Sequence, residues 1–175
     1  ATDPPAVHSS SSSRILTTAL ELFAVRGYDA TSVREICEAA DVTKPTLYHF
    51  FGSKDGLLRT LVTTAFEQFR GIVDRGLLTS GSFRERLKTI TREVFEEART
   101  HPRRWRFIHG IIWTPPGTTD PPKCTEFYDG VVGALAVAAG DAMKQGEIAE
   151  GPIDVRMLIL MGTISEAATG YVIAG

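Results

Sequence analysis

TSVREICEAADVTKPTLYHFFGSKDGL, residues 31–57, reads as two short helices joined by a tight turn and followed at once by the start of another. Ser32 with Glu35 three residues on is a capping box, in which each side chain satisfies a backbone N–H at a helix start. Val33, Ile36, Cys37 and Ala40 then recur at helical spacing and form one apolar face. Asp41-Val42 supplies the turn. Thr43 is the next N-cap, and Pro45 falls in the first turn, where its missing N–H costs nothing. Leu47, Phe50 and Phe51 give the second helix an inward side and leave Lys44, Thr46, Tyr48 and His49 outward. Ser53 caps the helix that follows, with Lys54 in its first turn. This is the pattern of a helix-turn-helix, whose second helix enters the DNA major groove.

The run VREICEAADVTKPTLYHFFGSKDGLL, together with ILTTALELFAVRGYDATS before it, resembles the N-terminal signature of the TetR family of bacterial transcriptional regulators. The resemblance covers residues 14–59, about the first third of the chain, and as a set of spaced residues it is specific. Cys37 stands where the family usually has a small residue such as Ala. Phe50 stands where an aromatic or His is common. The remainder carries no motif that can be matched.

Composition bounds the reading without deciding it. A chain of 175 residues with 43% hydrophobic content can form one or two domains with a proper core. Its net charge of −2 does not announce nucleic-acid binding. Between residues 14 and 59, six basic side chains (Arg14, Arg26, Arg34, Lys44, Lys54, Arg59) face six acidic ones. Attraction to phosphate must therefore come from placement and not from bulk charge. Two cysteines, Cys37 and Cys124, make neither a disulfide framework nor a metal-ligand spacing, which fits a reducing, cytoplasmic setting. The opening ATDPPAVHSSSSS has neither a basic start nor an apolar run, so it does not read as a signal peptide. No uninterrupted apolar segment reaches the length of a membrane span.

Taken in order, residues 1–13 read as a flexible arm rich in Pro and Ser. From Arg14, a helix carries the apolar stripe Ile15, Leu16, Ala19, Leu20 and Phe23 and closes at Gly27. The helix from Ser53 toward Gly76 exceeds 20 residues, about 30 Å at its 1.5 Å rise per residue. It is too long for the N-terminal lobe alone, so its far half is expected to pack on the next lobe. Ser82 and Glu85 form a second capping box, opening a helix lined by Phe83, Leu87, Ile90, Val94 and Phe95. His101-Pro102 is a break, and residues 103–113 are a short aromatic-rich helix. TPPGTTDPP, residues 114–122, is a loop. A helix rich in Ala and Gly over about 123–146 and a last one over 154–174 complete an all-α chain. The expected division is an arm at 1–13, a three-helix DNA-binding domain at 14–60, and a ligand-binding and dimerisation domain at 61–175.

The resemblance assigns roles to particular side chains. It implies that Thr31, Ser32, Tyr48, His49 and Lys54 hold phosphates, through hydroxyls, a helix N-terminus and one lysine. Thr43, Lys44, Pro45 and Thr46 open the recognition helix, where lysine can pair with guanine acceptors and the apolar groups can touch a thymine methyl. Arg34 is a further base or phosphate contact. The alternative is a structural trihelical unit whose Tyr48 and His49 only cover its surface. An effector pocket inside the C-terminal lobe is also implied, with Phe66, Phe69, Phe95, Trp105, Phe107, His109, Trp113, Phe127 and Tyr128 as candidate lining. Any single aromatic reads first as core packing, and His109 reads equally as a satisfied buried histidine. Arg99, Arg103, Arg104 and Arg106 read as a solvated face or as a site for an acidic ligand. Cys37 lies on an apolar face and reads as a small core residue. Gly162, Ser165 and Ala168 on the last helix would let a second copy approach, and the resemblance implies a four-helix dimer interface there.

These readings converge on a ligand-responsive repressor that is not an enzyme. It would bind a palindromic DNA operator as a homodimer and be released by a small-molecule effector, with no further cofactor or metal. The long helix at residues 53–76 would act as a lever between effector and DNA. The rivals are a helical enzyme using His101 or His109 as general base, and an interaction protein that never binds DNA. No nucleophile elbow, metal spacing or phosphate loop supports the first.

Overall fold

The computed structural model describes residues 6–112 and 124–174, and every regular element among them is a helix. In chain order these are α1 (Ala6–Arg26), α2 (Val33–Ala39), α3 (Lys44–Phe51), α4 (Lys54–Leu77), α5 (Phe83–Thr100), α6 (Pro102–Ile112), α7 (Cys124–Lys144) and α8 (Ile153–Ala174). The chain forms two compact units. One comprises Ala1–Thr64 with Arg106–Pro122, the other Ala65–Trp105 with Lys123–Gly175.

In the first unit α1 packs against both α2 and α3. Ile15, Ala19 and Phe23 of α1 are buried together with Ile36, Cys37, Leu47, Leu57 and Val62. A fully buried Ile or Leu of this kind contributes about 2 kcal/mol through loss of water contact. The helices start where their sequences require. Ser32 accepts the Glu35 N–H while Glu35 reaches back to the Ser32 N–H at 2.8 Å. Thr43 caps α3, and the Ser53 Oγ accepts the Gly56 N–H at 2.9 Å at the head of α4.

One boundary differs from the sequence reading. α1 begins at Ala6, so the serine run expected in a flexible arm is helical from there onward. Serine is only a moderate helix former, but once the apolar stripe of α1 is nucleated each added residue costs little. The loop expected at 114–122 lies outside the described residues.

The second unit is built on α8, which packs on α7 and α5. Met157, Met161, Ile164, Ala168 and Val172 of α8 recur every three or four residues and meet Val131, Leu135 and Ala139 of α7 with Ile90, Val94 and Ala98 of α5. The capping box at Ser82 and Glu85 is present. The corner after α7 is tied down by polar contacts. Glu147 accepts the Phe83 N–H at 2.6 Å, and Arg156 donates to the carbonyls of Ala149 and Glu150 at 2.7 and 3.1 Å. No helix among the described residues is long and apolar enough to cross a membrane.

Candidate functional site

α3 presents one side to solvent. Leu47 is wholly buried, whereas Lys44, Pro45, Tyr48 and His49 are exposed. The buried leucine and the half-buried Phe50 and Phe51 fix the rotation of the helix, so the outward residues share a face one turn long. The Thr43 and Thr46 hydroxyls bond each other at 2.8 Å, and Thr43 also accepts the Thr46 N–H. Both hydroxyls take part in the cap, and whichever accepts in that bond keeps its own proton for a further partner.

The close junction between α3 and α4 depends on two glycines. Gly52 ends α3 at φ +70°, a conformation that other residues adopt at a cost. Gly56 lies where an added Cβ would fall 1.9 Å from the carbonyl oxygen of Phe51, so only a residue without a side chain allows that approach.

Around this face the remaining candidates divide. Ser32 is exposed, but its hydroxyl bonds Glu35 at 2.7 Å, and that contact holds the Glu35 carboxyl below its usual range. Arg34 is exposed and pairs with Glu38 one turn on at 3.0 Å. Lys54 lies 4.1 Å from the centre of the Tyr28 ring. The Tyr28 hydroxyl donates to Asp55, and burial followed by that carboxylate pushes the phenol well above its ordinary range. Arg26 joins Glu35 at 3.0 Å, tying the end of α1 to α2.

Thr31 must be corrected. Expected to hold a phosphate, it is 1% exposed, and its hydroxyl donates to the Gly27 carbonyl at 2.9 Å. Its polar atom is consumed inside the α1–α2 corner and cannot reach a ligand. Tyr28 and Asp55 were missed by sequence reasoning. Both brace Lys54, and nothing in local periodicity pairs residues this far apart.

Cys37 is buried, and burial pushes its thiol up; the charge of Lys44 offsets only part of that. A thiol held in its neutral form is a poor nucleophile.

The aromatic candidates fall into separate groups. In the second unit Phe66 and Phe127 stack at 4.1 Å, Phe127 meets Phe69 edge-on at 5.7 Å, and Phe69 lies 6.4 Å from Trp105. The Trp105 indole donates to the Thr169 hydroxyl at 2.8 Å, a polar pair beside an apolar cluster. Phe95 lies 6.0 Å from Tyr171 and packs on the same core as Phe69, Trp105 and Phe127. Phe107 belongs to the first unit, where it stacks on Phe23, and His109 lies on the same stretch of α6. Both are therefore corrected as members of one aromatic set in the second unit. Trp113 and the side chain of Tyr128 lie outside the described residues. Of the arginines near α6, Arg99 bonds Glu96 at 2.6 Å and Arg104 pairs with Glu97. Among the described residues no group of His, Cys, Asp or Glu could hold a metal ion.

Residues 15–61 match the model for bacterial regulatory proteins of the tetR family. The chain is 38% identical over 103 residues to the HTH-type transcriptional repressor KstR2 of Rhodococcus jostii, a match covering 54% of this chain and 50% of that protein. It is 25% identical over 162 residues to the fatty acid metabolism regulator protein of Bacillus subtilis, covering 91% of this chain and 82% of the relative. The chain spans about half the length of the first curated relatives it matches. Among solved structures, FadR from Bacillus subtilis in complex with stearoyl-CoA superposes with a TM-score of 0.81 at 22% identity, over 93% of this chain and 87% of that one. That likeness carries the fold.

Proposed function

We propose that the chain is a member of the TetR family of bacterial regulatory proteins, whose model its residues 15–61 match, and a transcriptional repressor that binds a palindromic operator as a dimer and leaves it when a small molecule binds. The observation that carries this reading is the solvent-facing side of α3, with Lys44, Pro45, Tyr48 and His49 displayed around the buried Leu47. A helix so displayed can enter the major groove, with Lys44 and Pro45 at its N-terminal end against base edges. Tyr48, His49, Lys54 and Ser32 would hold phosphates, with Arg34 beside them once it leaves Glu38.

Residues 14–60 would form the DNA-binding domain and residues 61–175 the ligand-binding and dimerisation domain. One recognition helix reads few base pairs, so two half-sites about 34 Å apart would be read by two subunits. Support for a dimer comes from α8. Val155, Leu158, Ile159 and Tyr171 are all more than half exposed, and Gly162 and Gly170 leave open space beside them. Ala168 does not belong to this face, being fully buried in its own unit.

The effector would be a partly apolar molecule received by the cluster of Phe66, Phe69, Trp105 and Phe127. Acyl-CoA thioesters are the first class to try, since a regulator of the same fold is known as a stearoyl-CoA complex. Effector binding would act through α4, whose residues contribute to both compact units. A small change of spacing between the two recognition helices would break their match to the DNA repeat.

A mobility-shift assay on the promoter DNA beside its own gene tests the reading. Binding should weaken steeply with salt, be lost on Lys44→Ala with Tyr48→Ala, and be reversed by effector. Salt-insensitive binding, or none to any sequence selected from a random pool, would overturn it.

A further inference from the structure

Phe83, Leu87 and Phe95 follow one another along one side of α5. With Ile148, Met157 and Leu160 they floor an open groove of about 950 Å³ in the second unit. Arg84, Lys88 and Arg92 line the same groove one helical turn apart and are exposed. Their row is about 12 Å long at 1.5 Å rise per residue.

The carboxylates nearby do not neutralise this row. Glu85 bonds Ser82, which with a lesser contribution from Lys88 holds its carboxyl low. Glu93 pairs with Arg75 at 3.4 Å, Glu96 with Arg99 at 2.6 Å, and Glu97 with Arg104. Glu147 accepts the Phe83 N–H. Among the described residues Arg84 and Lys88 have no ion-pair partner, and Arg92 reaches only the Thr89 hydroxyl at 3.5 Å. Arg156, on the opposite side of the groove, donates to the carbonyls of Ala149 and Glu150.

We propose that this groove docks an acidic amphipathic helix of a partner protein. The apolar side of that helix would lie on Phe83, Leu87, Phe95, Met157 and Leu160. Carboxylates spaced i, i+4 and i+8 would meet Arg84, Lys88 and Arg92, at a pitch equal to that of α5. Three cations spread along the groove match a line of anions better than a single anionic head group. A second copy of this chain lacks the complement, since the exposed apolar row of α8 has no acidic residue between Asp154 and Glu166. None of the groove residues belongs to α3, so the proposal does not depend on DNA binding.

The test uses the full chain and a fluorescein-labelled, helix-forming peptide of 18 residues, with Leu on one face and a flanking row of Glu at i, i+4 and i+8. Anisotropy should show saturable binding that weakens with salt. The triple charge reversal R84E/K88E/R92E should weaken it at least tenfold, while a peptide with Lys in place of Glu should regain affinity for that variant. These three positions are exposed, and an unchanged circular dichroism spectrum would confirm that the variant is folded. Equal binding of Glu and Lys peptides, or no effect of the reversal, overturns the proposal. So does dodecanoate binding in the groove with no peptide bound, which would assign it to a small amphiphile. A reversal that dissociates the protein's own dimer in sedimentation would assign the groove to a second copy and also overturn it.

Discussion

Lys54 holds its ammonium 4.1 Å from the centre of the Tyr28 ring, and the hydroxyl of that tyrosine donates to the neighbouring Asp55. The first residue of α4 is thus oriented by a residue before α2. A cation over an aromatic face is worth about 0.5–1 kcal/mol at an exposed site. Replacing Tyr28 by Leu should therefore weaken operator binding by about threefold to fivefold in a mobility-shift titration. Tyr28→Phe, which keeps the ring, should lose less. If Tyr28→Leu weakens the Lys54→Ala variant as much as it weakens the unmodified protein, the ring does not act through Lys54.

The two capping boxes predict an acid-sensitive fold. Hydrogen bonds from Ser32 and Ser82 hold the carboxyls of Glu35 and Glu85 below their usual value. A depressed folded value means that the stabilisation is present above the unfolded value, about 4.3. It is lost as pH falls through the lower folded one. Urea midpoints should accordingly drop between pH 5 and pH 3. Ser32→Ala and Ser82→Ala should each cost about 1 kcal/mol at neutral pH and flatten that drop. A drop of unchanged size in both variants would assign it to other carboxylates.

Gly56→Ala is expected to destabilise by about 1–3 kcal/mol, because the new Cβ would meet the backbone of Phe51 and not a side chain that can turn away. Gly133→Ala in α7 meets nothing within 4 Å and should instead stabilise by about 1 kcal/mol. Thermal unfolding of the two variants, run side by side, reads both signs.

Ile159 is 63% exposed on the α8 face proposed for dimerisation. Ile159→Arg should shift sedimentation toward the monomer and weaken operator binding, with the helical signal unchanged. A variant that stays dimeric would place the interface elsewhere.

In a Cys124→Ser background the single remaining thiol, Cys37, should react with a disulfide reagent only as the protein unfolds. Its burial raises the thiol and shields it. Fast labelling of the folded protein would contradict the burial of Cys37.

Much of the fold was legible locally. The caps at Ser32, Thr43, Ser53 and Ser82 and the break at His101-Pro102 are written in neighbouring residues, as are the apolar spacings of α1, α3 and α5. Each is a contact across three or four positions, which sequence spacing encodes directly. The start of α1 was not legible, because serine neither favours nor forbids a helix strongly enough to mark one.

By itself, then, the amino-acid sequence determined the all-helical class, the order of its helices, the helix-turn-helix and its resemblance to one family. Only the tertiary structure decided which candidate side chains are available. It buries Thr31 under the α1–α2 corner, seats Lys54 on Tyr28, stacks Phe107 on Phe23, and stacks Phe66 on Phe127. It also turns the basic row of α5 into the edge of an apolar groove. The reason is physical. Local periodicity reports what a residue does within its own helix, whereas burial and pairing depend on which helices meet, through contacts tens of positions apart that no repeat along the chain records.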